Sequence, residues 1–132
     1  MFFRNNGFFL THWLPLILYC VFIFIQSALP SPDFGPSWPL SDKLLHFAGY
    51  FVLGVLICRA FSRVPILNTR NKIIIISIAF STLYGLSDEF HQFFVSARQA
   101  DYLDFLADLA GSVVGVLGFC WIASKPWGTC FK

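Results

Sequence analysis

Asp42, His46 and Tyr50 recur four residues apart, so a helix would carry all three on one face. A second group, Asp88, Glu89, His91 and Gln92, falls inside one short stretch, and Asp88, His91 and Gln92 share a helical face at i, i+3 and i+4. A third group, Asp101, Asp104 and Asp108, follows i, i+3 and i+7. Carboxylates and imidazoles together can move protons as general acids and bases. The same oxygen and nitrogen donors can hold a divalent metal. Lys43 and Arg98 stand beside these groups and offer charge for a phosphate.

The elements that must position these residues are apolar. The chain has 132 residues, of which 57% are hydrophobic and 12% charged. A soluble domain carries about 25% charged residues, so the composition predicts an all-α membrane protein in a single domain over residues 1–132. Four runs are long enough to cross a bilayer as helices: about 13–29, 44–61, 73–95 and 102–123. Pro30, Pro32, Pro36 and Pro39 separate the first two, and Ser41 or Asp42 offers an N-cap for the second. The short stretch from Ser96 to Asp101 predicts a tight antiparallel hairpin of the third and fourth spans. Arg4 and the following apolar run read as a retained first helix, since Gln26-Ser27-Ala28 is a poor cleavage site.

Charge gives a direction. Arg4, Arg59, Arg63, Arg70, Lys72, Lys125 and Lys132 all fall on one side of the four spans, which predicts that this side, with both termini, is cytoplasmic. All seven acidic residues then fall toward the outer side, where Lys43 and Arg98 are the only fixed cations. Asp33 reads as a solvated loop acid. Lys43 with Asp42, and Arg98 with Asp101, read as rim salt bridges. Counting 1.5 Å per residue, Tyr50, Asp88 and Asp108 lie roughly 9–12 Å below the outer helix ends, and His46 and His91 roughly 6 Å below them. Three helices thus bring polar groups to matching depths, which predicts an outward-facing polar site. Carboxylates in a membrane are costly and mark function by default.

Within that site Glu89, His46, Asp108 and Asp88 are the candidate catalytic residues, with His46 or Glu89 as general base. Lys43, Arg98, Tyr50, Gln92 and Asp104 are the candidate substrate contacts, and Asp88 with His91 the candidate metal ligands. Gly111, Gly115 and Gly118 continue the acidic face of the fourth span, and such small residues let helices approach closely. Cys20, Cys58 and Cys120 sit in apolar runs without metal-site spacing and read as small hydrophobes. A net charge of +2, with no basic run interleaved with aromatics, gives no reason to expect a nucleic-acid partner.

Three motifs taken together resemble the VanZ-like family of small bacterial membrane proteins: Asp42-Lys43-x-x-His46-Phe47-x-x-Tyr50, Asp88-Glu89-x-His91-Gln92, and Arg98 followed by Asp104, Asp108 and Gly111. Gln26-Ser27 at the end of the first span also fits. Where relatives often have Pro or Gly before the Arg, this chain has Val95-Ser96-Ala97. The resemblance implies a multi-pass protein of the bacterial cytoplasmic membrane with about four helices. The family takes its name from a member linked to resistance against the glycopeptide teicoplanin. The function expected is therefore binding or chemistry on a cell-envelope lipid, a lipid-linked precursor or a glycopeptide antibiotic. A divalent metal is a candidate cofactor. A non-enzymatic factor that modulates envelope machinery is the alternative from another class, and a proton-coupled transporter a third.

Overall fold

A computed structural model describes residues 6–29, 41–95 and 101–125. Its elements are four helices: α1 Asn6–Ala28, α2 Ser41–Phe61, α3 Arg70–Phe93 and α4 Tyr102–Ala123. Each is long and apolar enough to cross a membrane. The expected first span is longer than its apolar run suggested: α1 begins at Asn6 and carries Pro15 inside. A proline removes one helix hydrogen bond, a loss that membrane helices tolerate. Asp42 lies in the first turn of α2. Thr69 caps α3, accepting from the Lys72 N–H, and Asp101 caps α4, accepting from the Leu103 N–H.

The helices run up and down in turn. Gly85 of α3 lies beside Asp108 of α4, and Ser81 pairs with Ser112 one turn further on, so these two helices are antiparallel. The predicted hairpin is therefore present. The closest interface, however, joins α2 and α4, which run parallel. A Cβ on Gly111 would collide with the carbonyl oxygen of Phe47, and one on Gly115 with that of Phe51. A Cβ on Gly54 would stand 2.7 Å from the Ser112 carbonyl oxygen. Backbone meets backbone here because no side chain intervenes. Gly118 does not share this role, since a Cβ there meets nothing within 4 Å.

The same register brings the thiols of Cys58 and Cys120 to 3.3 Å. Both are fully buried, so two of the cysteines read as separate small hydrophobes form one contact. They pack with Ile73 and Val116. A second apolar cluster joins Leu16 and Ile23 of α1 to Leu53 and Ile57 of α2.

Polarity is inverted relative to a water-soluble bundle. Ser77, Ser81, Asp88, Gln92, Asp104, Asp108 and Ser112 are buried, while Leu18, Phe22, Ile75, Leu83, Phe90 and Trp121 are exposed. That distribution suits a solvent of lipid chains, where backbone and polar groups must find partners inside the protein.

Gly111→Ala and Gly115→Ala should each cost about 1–3 kcal/mol, because the helix backbones must part to admit the methyl group. Gly118→Ala should stay within about 0.5 kcal/mol. Equilibrium unfolding in mixed micelles checks this, and equal losses at all three positions would contradict the assigned interface.

Candidate functional site

One end of the bundle carries the acidic groups, contributed by the starts of α2 and α4 and the end of α3. Asp104 and Asp108 are on α4, one turn apart, and both are buried. The parallel α2 sets Lys43 and His46 against them. Lys43, expected to pair locally with Asp42, reaches across to the start of α4. Its Nζ lies 2.7 Å from Asp101 Oδ2 and 2.7 Å from Asp104 Oδ1. The ammonium donates to both, so Lys43 is committed to a clamp between two helices. Arg98, the other expected substrate cation, lies outside the described residues, as does Asp33.

One turn deeper, His46 Nδ1 stands 2.9 Å from Asp108 Oδ1 and 4.0 Å from Glu89 Oε1. Glu89 Oε2 accepts from the backbone N–H of Asp101 at 3.3 Å, which ties the end of α3 to the start of α4. Oε1 is left buried without a hydrogen-bond partner. Asp108 Oδ2 is in the same condition, and the residue is fully buried. Behind it, Gly85 leaves room: a Cβ there would lie 3.2 Å from both Asp108 Oδ2 and the Tyr50 ring. The Tyr50 hydroxyl is also buried, set against Asp88 with Asp108 nearby.

Below Asp108 the helix is fastened by a short hydroxyl chain. Ser112 Oγ donates to the Asp108 carbonyl at 2.7 Å. A hydroxyl has one proton, so the 2.7 Å Ser81–Ser112 contact is completed by Ser81 donating to Ser112. Neither serine was among the expected site residues. Their signal was weak, since single serines in apolar helices are common.

Asp88 and Gln92 meet as their spacing predicts, Gln92 Nε2 donating to Asp88 Oδ2 at 3.3 Å. His91 parts from them. Its ring stacks on Phe24 of α1, with centroids 4.6 Å apart. On a helix i+3 and i+4 fall on opposite flanks of residue i, so a face that turns Gln92 inward turns His91 toward α1. Among the described residues, the donor atoms that converge are those of His46, Glu89 and Asp108, all within 4.8 Å of one another. Asp42, His46 and Asp104 form a second such group.

A cavity of about 540 Å³ opens between α1 and α2 and reaches α3. Phe22, Ile23, Leu45, Ala48 and Val52 form its apolar wall. Gln26, Ser27, Asp42, His46, Asp88 and Gln92 form its polar lining. The cavity exists because α1 is held off α2 by few contacts. Tyr19 donates to the Gly49 carbonyl at 3.0 Å, and Tyr84 of α3 donates to the Cys20 carbonyl at 2.6 Å. His46 stands between this cavity and the Glu89–Asp108 pair. The arrangement can therefore present an imidazole, backed by a carboxylate, to a polar group that enters the cavity.

Compared with known proteins, the chain matches one family model, VanZ/LLP1, over residues 9–123. No curated protein and no solved structure matches it.

The Lys43 clamp makes a pH-dependent contribution. The ammonium holds the Asp101 carboxyl below the usual aspartate range, with help from the Leu103 N–H. A lowered folded value gives stability that is complete above the unfolded value of about 3.9 and is lost as the pH falls through the folded one. Lys43→Met should therefore melt below wild type at pH 7. The gap should narrow once the pH drops under about 3.9. Thermal unfolding of both proteins across pH 3–7 measures it, and a pH-independent gap would remove Asp101 from the clamp.

Proposed function

Because the chain belongs to the VanZ/LLP1 family, we propose that its buried acid and histidine cluster serves an amphiphile of the cell envelope, such as a lipid or a lipid-linked precursor. The observation that carries this reading is the cavity between α1 and α2. It has the two-part character of an amphiphile: five apolar side chains along one wall and a set of hydrogen-bonding groups that includes His46 and Asp88. A fatty or isoprenoid chain would lie along Phe22, Ile23 and Val52. Its polar head would meet Gln26, Ser27, Asp42 and His46. Entry is lateral, from the lipid, so the ligand need not leave the membrane.

The charge asymmetry of the sequence supports an outward-facing site in a multi-pass protein of the bacterial cytoplasmic membrane, with both termini in the cytoplasm. The head-group chemistry falls to His46. Its Nδ1 is held against Asp108 at 2.9 Å, which fixes the ring and leaves the other nitrogen for the ligand. Glu89 Oε1, buried and unpartnered, is the second group able to take a proton. Asp88 with Gln92 would orient the head, and Tyr50 would close the site from below. Lys43 acts here as a positioning residue through Asp101 and Asp104. An antibiotic glycopeptide fits less well, since its bulk exceeds about 540 Å³ of space between two helices.

Gly49 gives a direct test. It lines the cavity, and a Cβ there would meet only the Tyr19 hydroxyl, at 4.0 Å. Gly49→Leu should therefore fold normally while filling the cavity. Native mass spectrometry of protein extracted from membranes should find a bound amphiphile on wild type and at least about tenfold less on Gly49→Leu. Equal lipid occupancy in both would end the cavity reading. His46→Gln and Glu89→Gln should retain the amphiphile while losing any turnover of it.

A further inference from the structure

We infer that His46, Glu89 and Asp108 together hold a divalent first-row transition-metal ion, one donor from each of α2, α3 and α4. Ligand atoms about 2.0–2.2 Å from an ion lie at most about 4.4 Å from each other. The His46–Asp108 and His46–Glu89 separations, 2.9 Å and 4.0 Å, fall inside that limit, and all three donor atoms lie within 4.8 Å of one another, a few tenths of an ångström from closing on an ion.

The second observation is the pair of unsatisfied oxygens. Asp108 Oδ2 and Glu89 Oε1 are buried without a hydrogen-bond partner. Asp108 is fully buried. Buried carboxylate oxygens away from water require a cation or a donor. Among the described residues no fixed cation serves; Arg98 lies outside them. Among the described residues, every Lys and Arg except Lys43 lies toward the opposite helix ends or in the connections there. Lys43 is taken by Asp101 and Asp104. The same ammonium decides between the two convergent groups. Asp42, His46 and Asp104 also gather, but Asp104 Oδ1 already accepts from Lys43 at 2.7 Å. In the inner group the one such contact is between two of the ligands themselves, His46 Nδ1 and Asp108 Oδ1, so an ion there displaces a proton and not an ammonium.

The donor set selects the ion. One imidazole nitrogen and two carboxylate oxygens suit Mn²⁺, Fe²⁺ or Zn²⁺. Ca²⁺ takes six to eight oxygen ligands, and Mg²⁺ keeps most of its water, so neither matches this site. Two carboxylates with a neutral imidazole also cancel the charge of a divalent ion, the condition for placing it at depth in a membrane. Binding at Nδ1 displaces the proton now shared with Asp108, so loading releases protons. The Asp101 N–H on Glu89 Oε2 holds that ligand from behind, the support metal carboxylates normally have. The remaining positions on the ion face the cavity past His46.

The inference is tested apart from the amphiphile reading, because its readout is metal and not lipid; with an ion bound, Glu89 is a ligand in place of the proton acceptor of the metal-free site. Protein carrying a non-histidine affinity tag is purified in detergent and its metal content measured by elemental mass spectrometry. It is then stripped with chelator and titrated with Mn²⁺ and Zn²⁺. One equivalent per chain is expected in wild type and in Asp42→Asn. His46→Gln and Glu89→Gln, each checked for a monodisperse fold, should bind at least about tenfold more weakly. The proposal is overturned if stripped wild type takes up neither ion at about 1 mM. It is equally overturned if both ligand variants bind as wild type does, or if Asp42→Asn alone loses the ion.

Discussion

The backbone contact between α2 and α4 is the constraint on which the site depends. In lipid, helices gain nothing from hiding apolar surface, so they associate through close packing and internal hydrogen bonds. Gly111 and Gly115 let α4 lie directly on the Phe47 and Phe51 carbonyls of α2. That contact fixes the register of two parallel helices. Lys43 then faces Asp104, His46 faces Asp108, and Cys58 faces Cys120. A shift of one residue along α4 would rotate its acids by about 100° away from α2. The glycines are remote from any chemistry, yet they decide which carboxylate meets which base.

The second requirement is that every buried polar group be answered within the bundle. Most are. Ser81 with Ser112, Ser112 with the Asp108 carbonyl, Gln92 with Asp88 and the Lys43 clamp all bond within the bundle. The exceptions include single groups along the bundle, such as the Ser27, Ser77 and Thr82 hydroxyls, and two carboxylates at one end, where Glu89 and Asp108 each keep an unpartnered oxygen. A lone hydroxyl without a partner costs little beside a buried carboxylate oxygen, so the open valences of Glu89 and Asp108 are the ones that call for a ligand.

Much of this was legible from helical spacing. The faces Asp42/His46 and Asp104/Asp108 followed from periodicity alone, because a helix fixes angle as well as depth. So did the four spans, since length and apolarity are one-dimensional properties. Rotation about a helix axis is not. His91 shared a nominal face with Asp88, but the turn of α3 that buries Asp88 and Gln92 sends His91 to Phe24. The partner of Lys43 was missed for a related reason: its nearest acid in sequence is Asp42, while its partners arrive from residues 101 and 104 through the register of α4. Gly118 matched the stripe by spacing and not by contact: α4 still meets α2 beyond it, through Cys120 on Cys58, and Gly118 is turned off that row. The cavity had no sequence signal, being a property of how loosely α1 is held.

That loose hold has its own consequence. α1 is attached by hydrogen bonds to main-chain carbonyls: Tyr19 reaches that of Gly49, and the carbonyl of Cys20 receives Tyr84. A carbonyl is present whatever side chain its residue carries. Beyond Tyr19, Phe24 on His91, the residues packed on α2 and those lining the cavity, the helix needs only to be greasy and the right length. Its outward surface is thus free to drift with the thickness and lipid make-up of the host membrane. The three helices that carry the acids have no such latitude.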